Sequence, residues 1–389
     1  MDIRIFPGKL QGNIAAIPSK SQAHRLLICA AFSDGPTELV CPATNRDIEA
    51  TCDCLTALGA NITRTKTGYL VEPMEVPPKT ALLNCCESGS TLRFMLPIVG
   101  ALGVDATFLM EGRLPQRPLS PLWEEMERMG CTLTHPTENT IRCQGQLKAG
   151  NYSISGSVSS QFITGLLFAL SLIEGEIHLE VTGKIESQPY IRLTEHAMAL
   201  FHAPHYHSPG RLTVEGDWSN GAFWVAAQML GSALSIHGLK TDSIQGDRAV
   251  VDICRDLLAG TPTVDASDIP DLIPILSIVA GSSKGAVFTN IQRLRIKESD
   301  RVASTIAMIE ALGGKAESTE DTLTIYGTGY RGGTVDSVND HRIAMSAAIA
   351  STVCTEPVTI IGAEAVKKSY PHFWEEFSRL GGKYEQYLR

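Results

Sequence analysis

A chain of 389 residues with 43% hydrophobic content can bury large cores and is expected to divide into two domains or more. Its formal net charge of -9 argues against a nucleic-acid partner, which would need a basic face, and against an anionic membrane surface. Any anionic ligand must therefore be drawn by a local basic pocket. The start, MDIRIFPGKL, has no basic region followed by a long apolar run, and no later stretch approaches a membrane span, so a cytoplasmic location is expected. Ten cysteines scattered through a long chain without an export signal read as reduced thiols. Cys52 and Cys54 are too close for a zinc hairpin, Cys85 and Cys86 lie in an apolar run, and His202, His205 and His207 sit beside Pro204 and Pro209 as a polar turn, so no metal is expected.

Taken in order, the chain repeats itself. A helix ending in Leu-Gly or a similar pair leads to a short alternating strand, a polar turn and a second strand. Clear copies are LTALGANITRTKTGYLVE (Leu55 to Glu72), MERMGCTLTHPTENTIRCQG (Met126 to Gly145) and MIEALGGKAESTEDTLTIYG (Met308 to Gly327). Fainter ones are MALFHAPHYHSPGRLTVEG (Met198 to Gly216) and LLAGTPTVD (Leu257 to Asp265), and FSRLGGKYEQYLR (Phe377 to Arg389) closes a series of six. Between them lie segments apolar nearly all round, such as SQAHRLLICAAFSDG, SGSTLRFMLPIVGALG, SSQFITGLLFALSLIEG and IPDLIPILSIVAG, which predict buried helices. The first three open with serine, a residue that caps a helix and leaves its amides pointing outward. Six βαβαββ-like units, each with a buried and a surface helix, predict an α/β protein of two similar domains with three units apiece, split most simply near Asp217. Helix ends gathered in one crevice would favour a multiply charged anion despite the acidic net charge.

The helix starts also carry basic residues. PSKSQAHR places Lys20, Ser21 and Arg25 on the first turns of a buried helix with little polar face, and ESGSTLR offers Gly89 for close backbone approach with Arg93 beyond it. Arg113 and Arg117 flank a Pro-rich turn, and SSQF supplies Ser159, Ser160 and Gln161, of which capping explains only one serine. Asp271 in IPD is a carboxylate at the mouth of an apolar helix, where low dielectric would let it serve as a base. LRIKESDR (Leu294 to Arg301) lies between a strand-like run, Gly285 to Ile291, and a helix expected to begin near Ser299. If that helix starts early, Lys297 and Arg301 share one face and grip a phosphate or carboxylate; otherwise Glu298 and Asp300 simply suit the dipole of a solvated helix start. NDHR brings Asp340, His341 and Arg342 together, and Lys367 and Lys368 precede a helix started by a proline. These signals outline a cationic site containing one or two carboxylates.

The motifs PSKSQAHR, ESGSTLR, LPQRP, SSQF, GDWSNGAFWVAA, IPDLIP, RIKESDR and NDHR, in this order and over nearly the whole chain, resemble the 5-enolpyruvylshikimate-3-phosphate synthase family of the enolpyruvyl transferase superfamily. The resemblance implies an inside-out α/β barrel fold, with two crossovers joining the domains. It moves the N-terminus across, giving a lower domain of residues 1–18 plus 218–389 on the phosphoenolpyruvate side and an upper domain of residues 19–217 on the shikimate 3-phosphate side, with the active site in the cleft. It further implies transfer of the enolpyruvyl group of phosphoenolpyruvate to the 5-hydroxyl of shikimate 3-phosphate through a tetrahedral adduct, with no metal or organic cofactor. Matched motif by motif, Lys20, Gly89, Arg117, Gln161, Arg301, Arg342 and Lys368 form the phosphoenolpyruvate set. Ser21, Arg25, Ser159, Ser160, Ser187, Tyr190, Asp271 and Lys297 form the shikimate 3-phosphate set. Asp271 would be the base for the hydroxyl, and Glu298 with Lys20 the acid for the methylene carbon.

Glu87, Arg293 and Gln188 depart from the family's usual residues. A monomer acting on small molecules is expected. The rivals are a UDP-N-acetylglucosamine enolpyruvyl transferase, disfavoured because no cysteine occurs between Cys86 and Cys131, and a non-catalytic phosphometabolite-binding protein.

Overall fold

The structure, a computed structural model, describes residues 1–387, so Leu388 and Arg389 of the closing repeat lie outside the described residues. The chain divides into two compact units, Pro18–Glu215 and a discontinuous one formed by Met1–Ile17 with Gly216–Arg389. Each has its own hydrophobic core.

The contiguous unit carries six α-helices: α1 (Lys20–Ala31), α2 (Arg46–Ala57), α3 (Gly89–Leu102), α4 (Leu122–Arg128), α5 (Ser160–Leu170) and α6 (Gln188–Leu200). The discontinuous unit carries α7 (Trp218–Met229), α8 (Val250–Ala259), α9 (Ile273–Gly281), α10 (Arg301–Ala311), α11 (His341–Ala350) and α12 (Phe373–Arg379). The odd-numbered helices are the apolar segments of the sequence and lie inside; every residue of α9 and α11 is buried. Close approach within this interior uses small residues. A Cβ on Gly165 of α5 would run into the Arg93 carbonyl of α3. The even-numbered helices bury one face and expose the other, as their amphipathic sequences require.

Four sheets share one plan. In the contiguous unit the order is Thr80–Asn84, Asp105–Leu109, Thr140–Gly145, Cys131–Thr134, with the first pair parallel and the other pairings antiparallel. The parallel pair straddles a buried helix, and the hairpin follows a surface helix, which is the βαβαββ unit read from the sequence. The sheets Arg211–Thr213, Thr37–Val40, Gly68–Glu72, Asn61–Arg64 and Thr263–Asp265, Gly285–Thr289, Thr322–Tyr326, Lys315–Ser318 repeat it. So does Gly333–Asp336, Val358–Ile361, Asp2–Phe6, Lys383–Tyr387, whose third position is filled by the N-terminal strand. Two repeats stop short, as parallel pairs only: Gly150–Ser155 with Ile177–Thr182, and Gln11–Ala15 with Ala233–His237. These are the repeats whose sequence copies are faint. The strand after α6 joins the sheet of the first repeat, and the strand after α8 opens the next sheet, so neither has a hairpin of its own.

Candidate functional site

In the contiguous unit the chemistry gathers at the N-termini of α1, α3 and α5. Ser19, Ser88 and Ser159 cap them, accepting from the backbone N–H of Gln22, Thr91 and Gln161. None of the three helices has an acid in its first turn, whereas α2 carries Asp47 and Glu49 there and α4 carries Glu124 and Glu125. The outer α2 and α4 thus offset their positive ends with their own carboxylates, whereas α6 has none in its first turn. The inner ones leave theirs for an anion.

Lys20 Nζ sits 2.8 Å from Asp47 Oδ2, both side chains only 17% exposed. Gln161 Nε2 donates to Ser90 Oγ at 2.9 Å, tying the start of α5 to that of α3. Arg93 and Arg117 converge on Gly89: a Cβ there would lie 2.6 Å from Arg93 Nη1 and 2.7 Å from Arg117 Nη1. Ser21 is half-buried and Ser160 buried. Ser187 caps α6 from the left-handed region (φ 54°), a strained setting for a non-glycine residue of the kind that collects at functional sites. Arg25 turns inward, donating to Thr194 Oγ1 (2.8 Å), the Ser21 carbonyl (2.6 Å) and the Tyr190 carbonyl (2.9 Å). It braces the backbones that carry Ser21 and Tyr190.

In the discontinuous unit Arg301 is the hub. Its guanidinium, 1% exposed, meets Asp271 Oδ1 at 2.5 Å, Glu298 Oε2 at 2.6 Å and Asp340 Oδ2 at 2.9 Å. Asp271 also lies 3.9 Å from Lys297 Nζ and 3.7 Å from Arg342 Nη2. Burial pushes the Asp271 carboxyl up, but Lys297, Arg301 and Arg342 together outweigh it and hold the group well below the usual carboxylate range. Low dielectric therefore does not raise this carboxyl, as its place at an apolar helix mouth suggests; the cations keep it ionised. Burial lowers Lys297 to about 8, against the pull of Asp271. Lys368 Nζ donates to the Asn339 carbonyl at 2.8 Å beside α11.

Two local readings are corrected. Helix α10 begins at Arg301, with Asp300 as its cap, and Lys297 follows a 3-10 turn, Gln292–Ile296. Lys297 and Arg301 thus share no helix face and meet instead at one oxygen of Asp271. Likewise Lys367 and Lys368 end a 3-10 turn, Ala363–Lys368, and the following helix starts at Phe373, two residues past Pro371.

Several partners escape a reading of the motifs alone. Asp47 pairs with Lys20, and Asp340, which NDHR does single out, caps α11 fully buried and holds Arg301, a pairing the motif does not show. Ser219 takes Arg342, its carbonyl accepting from Nη1 at 2.8 Å and its hydroxyl from Nη2 at 2.6 Å. His24 Nδ1, Thr51, Thr91 and Ser88 form a buried line of hydrogen bonds 2.7 to 2.8 Å long beneath Lys20. Burial, with Lys20 and Arg25, keeps this histidine neutral. Of the departures, Glu87 packs its carboxylate against Gly112 in the loop leading to Arg117. His207 bonds Asp34 in a surface turn. All ten cysteines are free. Among the described residues no helix is long and apolar enough to cross a membrane.

The model of the EPSP synthase (3-phosphoshikimate 1-carboxyvinyltransferase) family matches residues 6–377. The chain is 38% identical to the 3-phosphoshikimate 1-carboxyvinyltransferase of Clostridium kluyveri, over 99% of this chain and 98% of the relative. It is 36% identical to the protein of that name from Clostridioides difficile, with 99% and 98% covered. In fold it is similar to the solved EPSP synthase of Acinetobacter baumannii, with a TM-score of 0.78 at 22% identity over 99% of this chain and 100% of that one.

Proposed function

The chain belongs to the EPSP synthase family, the 3-phosphoshikimate 1-carboxyvinyltransferases of the shikimate pathway, and on that premise we propose how its residues divide the transfer. Phosphoenolpyruvate is bound by Lys20, Gly89, Arg117 and Gln161 with Arg301, Arg342 and Lys368. Shikimate 3-phosphate is bound by Ser21, Ser159, Ser160, Ser187 and Tyr190, with Arg25 bracing the backbones of Ser21 and Tyr190, and by Asp271 and Lys297. The unit Pro18–Glu215 serves chiefly shikimate 3-phosphate and the discontinuous one phosphoenolpyruvate, in a cytoplasmic monomer. The 5-hydroxyl oxygen attacks C2 of phosphoenolpyruvate while Asp271 takes its proton and Glu298, with Lys20, protonates the methylene carbon; loss of phosphate then restores the vinyl group.

The observation that carries this reading is Asp271. It is 23% exposed and held ionised by Lys297, Arg301 and Arg342, so a hydroxyl can reach it; the same cations weaken it as a base, and it takes the proton only as the forming bond to C2 acidifies the hydroxyl. The uncompensated starts of α1, α3 and α5 supply amides and positive charge for the phosphorylated acids. Phosphate release from phosphoenolpyruvate is the test. It should depend on shikimate 3-phosphate and be absent with UDP-N-acetylglucosamine; release with neither acceptor would leave a binding protein.

Gly89 gives a sharper expectation. A Cβ at 2.6 to 2.7 Å from two guanidinium ends must displace Arg93 and Arg117, so Gly89→Ala should raise KM for phosphoenolpyruvate about tenfold or more, the effect of roughly one charge-assisted hydrogen bond. KM for shikimate 3-phosphate should change less. Equal effects on both would remove Gly89 and Arg117 from the phosphoenolpyruvate set.

A further inference from the structure

Asp247, in the 3-10 turn Gly246–Ala249 that leads into α8, has no part in the roles above and is only 3% exposed. The groups that face it are Asp217 and Ser219 at the start of α7, Asp271 from the turn before α9, and Arg342 from α11. Ser219 is the junction. Its side chain hydrogen-bonds the Asp247 carboxylate and accepts from Arg342 Nη2 at 2.6 Å. Arg342 Nη2 in turn lies 3.7 Å from Asp271 Oδ2. A line of carboxylate, hydroxyl, guanidinium and carboxylate thus runs from Asp247 to the proposed base.

We infer that Asp247 is a positioning residue for the transfer: through Ser219 it holds Arg342 in place, so that the guanidinium neither closes onto Asp271 nor leaves the substrate anion. The inference rests on the role proposed for Arg342. A serine hydroxyl has one hydrogen to give. While Asp247 is ionised it takes that hydrogen, and the serine lone pairs are left to face Arg342. Once protonated, Asp247 can itself donate to Ser219, and the serine hydrogen is freed to oppose the guanidinium.

Charge balance agrees with a role other than stability. Burial first, then the like charge of Asp271, push the Asp247 carboxyl up to about 6; Ser219 and Arg342 pull it down, and Asp217 adds to the rise. A carboxyl raised on folding makes the fold less stable above that pH and favours it only as the pH falls toward the unfolded value. At neutral pH the ionised form is therefore a burden on the fold, and the line is intact. As the pH drops through about 6 the line is released.

The test compares wild type with Asp247→Asn, which keeps the shape and removes the charge. At pH 7.5 the variant should raise KM for phosphoenolpyruvate about tenfold, the effect of roughly one charge-assisted hydrogen bond, with kcat nearly unchanged. The advantage of wild type in kcat/KM should shrink toward one as the pH falls through 6. Phosphoenolpyruvate's own phosphate titrates near 6 as well, but equally for both proteins, so the ratio isolates Asp247. An unchanged KM, or a ratio flat from pH 5.5 to 7.5, would overturn the inference. A second readout needs no turnover: the carboxyl carbon of Asp247, followed by NMR, should titrate near 6 in wild type and lower in Asp271→Asn. No downward shift would show the two carboxylates uncoupled and end the proposal. If wild type released no phosphate, the reading of the reaction would fail while this titration still decided the line.

Discussion

Asp271→Asn is expected to bind both substrates at least as tightly as wild type and to lose turnover by about 10²- to 10⁴-fold, the usual worth of a positioned general base. Asparagine keeps the shape of the side chain and can still accept from Arg301, but it cannot take the hydroxyl proton. Removing the negative charge also leaves Lys297, Arg301 and Arg342 with a surplus of positive charge, which favours anionic ligands. Calorimetric titration with each substrate, alongside steady-state kcat, separates the two effects. Near-normal kcat would remove Asp271 from the base role. Because its carboxyl is held well below the usual range, Asp271 should put no acid limb of its own into a profile measured above pH 5.

The second large effect concerns the fold. Arg301→Ala should lower the stability of the discontinuous unit by about 3–5 kcal/mol, the loss expected when one partner of a buried ionic group is removed and the others stay. Three carboxylates would remain around a vacated cation, Asp340 among them with no exposure at all. Denaturant unfolding followed by tryptophan fluorescence is well placed to see it, since Trp218, Trp224 and Trp374, three of the four tryptophans, lie in that unit. The pH dependence has a definite sign. Arg301 is among the cations holding Asp271 and Asp340 below their ordinary values, so their contribution is present above about pH 4 and fades as the pH falls. The gap between wild type and variant should therefore narrow in acid. A gap constant from pH 7 to pH 3 would mean that packing, not charge, accounts for the loss.

How much of this the residues disclosed follows from the range of each interaction. Buried helices were readable because apolar residues run all round them, and their starts because a cap is a local device: Ser19, Ser88 and Ser159 each bond within their own first turn. Hairpins behind Leu58-Gly59 and Leu312-Gly313 were readable for the same reason, the pattern and the turn lying within twenty residues. The two short repeats were not, because a strand of three residues such as Arg211–Thr213 takes its identity from a partner far away in the chain. Site cations stood out as basic residues in apolar settings. Their partners did so less: Asp340 shows in NDHR but not as the partner of Arg301, and Asp47 and Asp247 look like ordinary surface acids until the fold sets them beside Lys20 and Ser219. The state of Asp271 is hidden on the same ground, since desolvation can be inferred from neighbours in sequence while three converging cations cannot.

The strand Asp2–Phe6 sits between Val358–Ile361 and Lys383–Tyr387, hydrogen-bonded on both sides. Its partners lie more than 350 residues later in the chain, so it has no ladder to join until they too leave the ribosome, roughly 20 to 75 s afterwards at ordinary rates of synthesis. The unit Pro18–Glu215 is under no such delay, since every strand of its sheets comes from its own uninterrupted segment. Translation therefore imposes an order of assembly: the unit Pro18–Glu215 is complete first, and the strand Asp2–Phe6 that precedes it is locked in only when Lys383–Tyr387 follows.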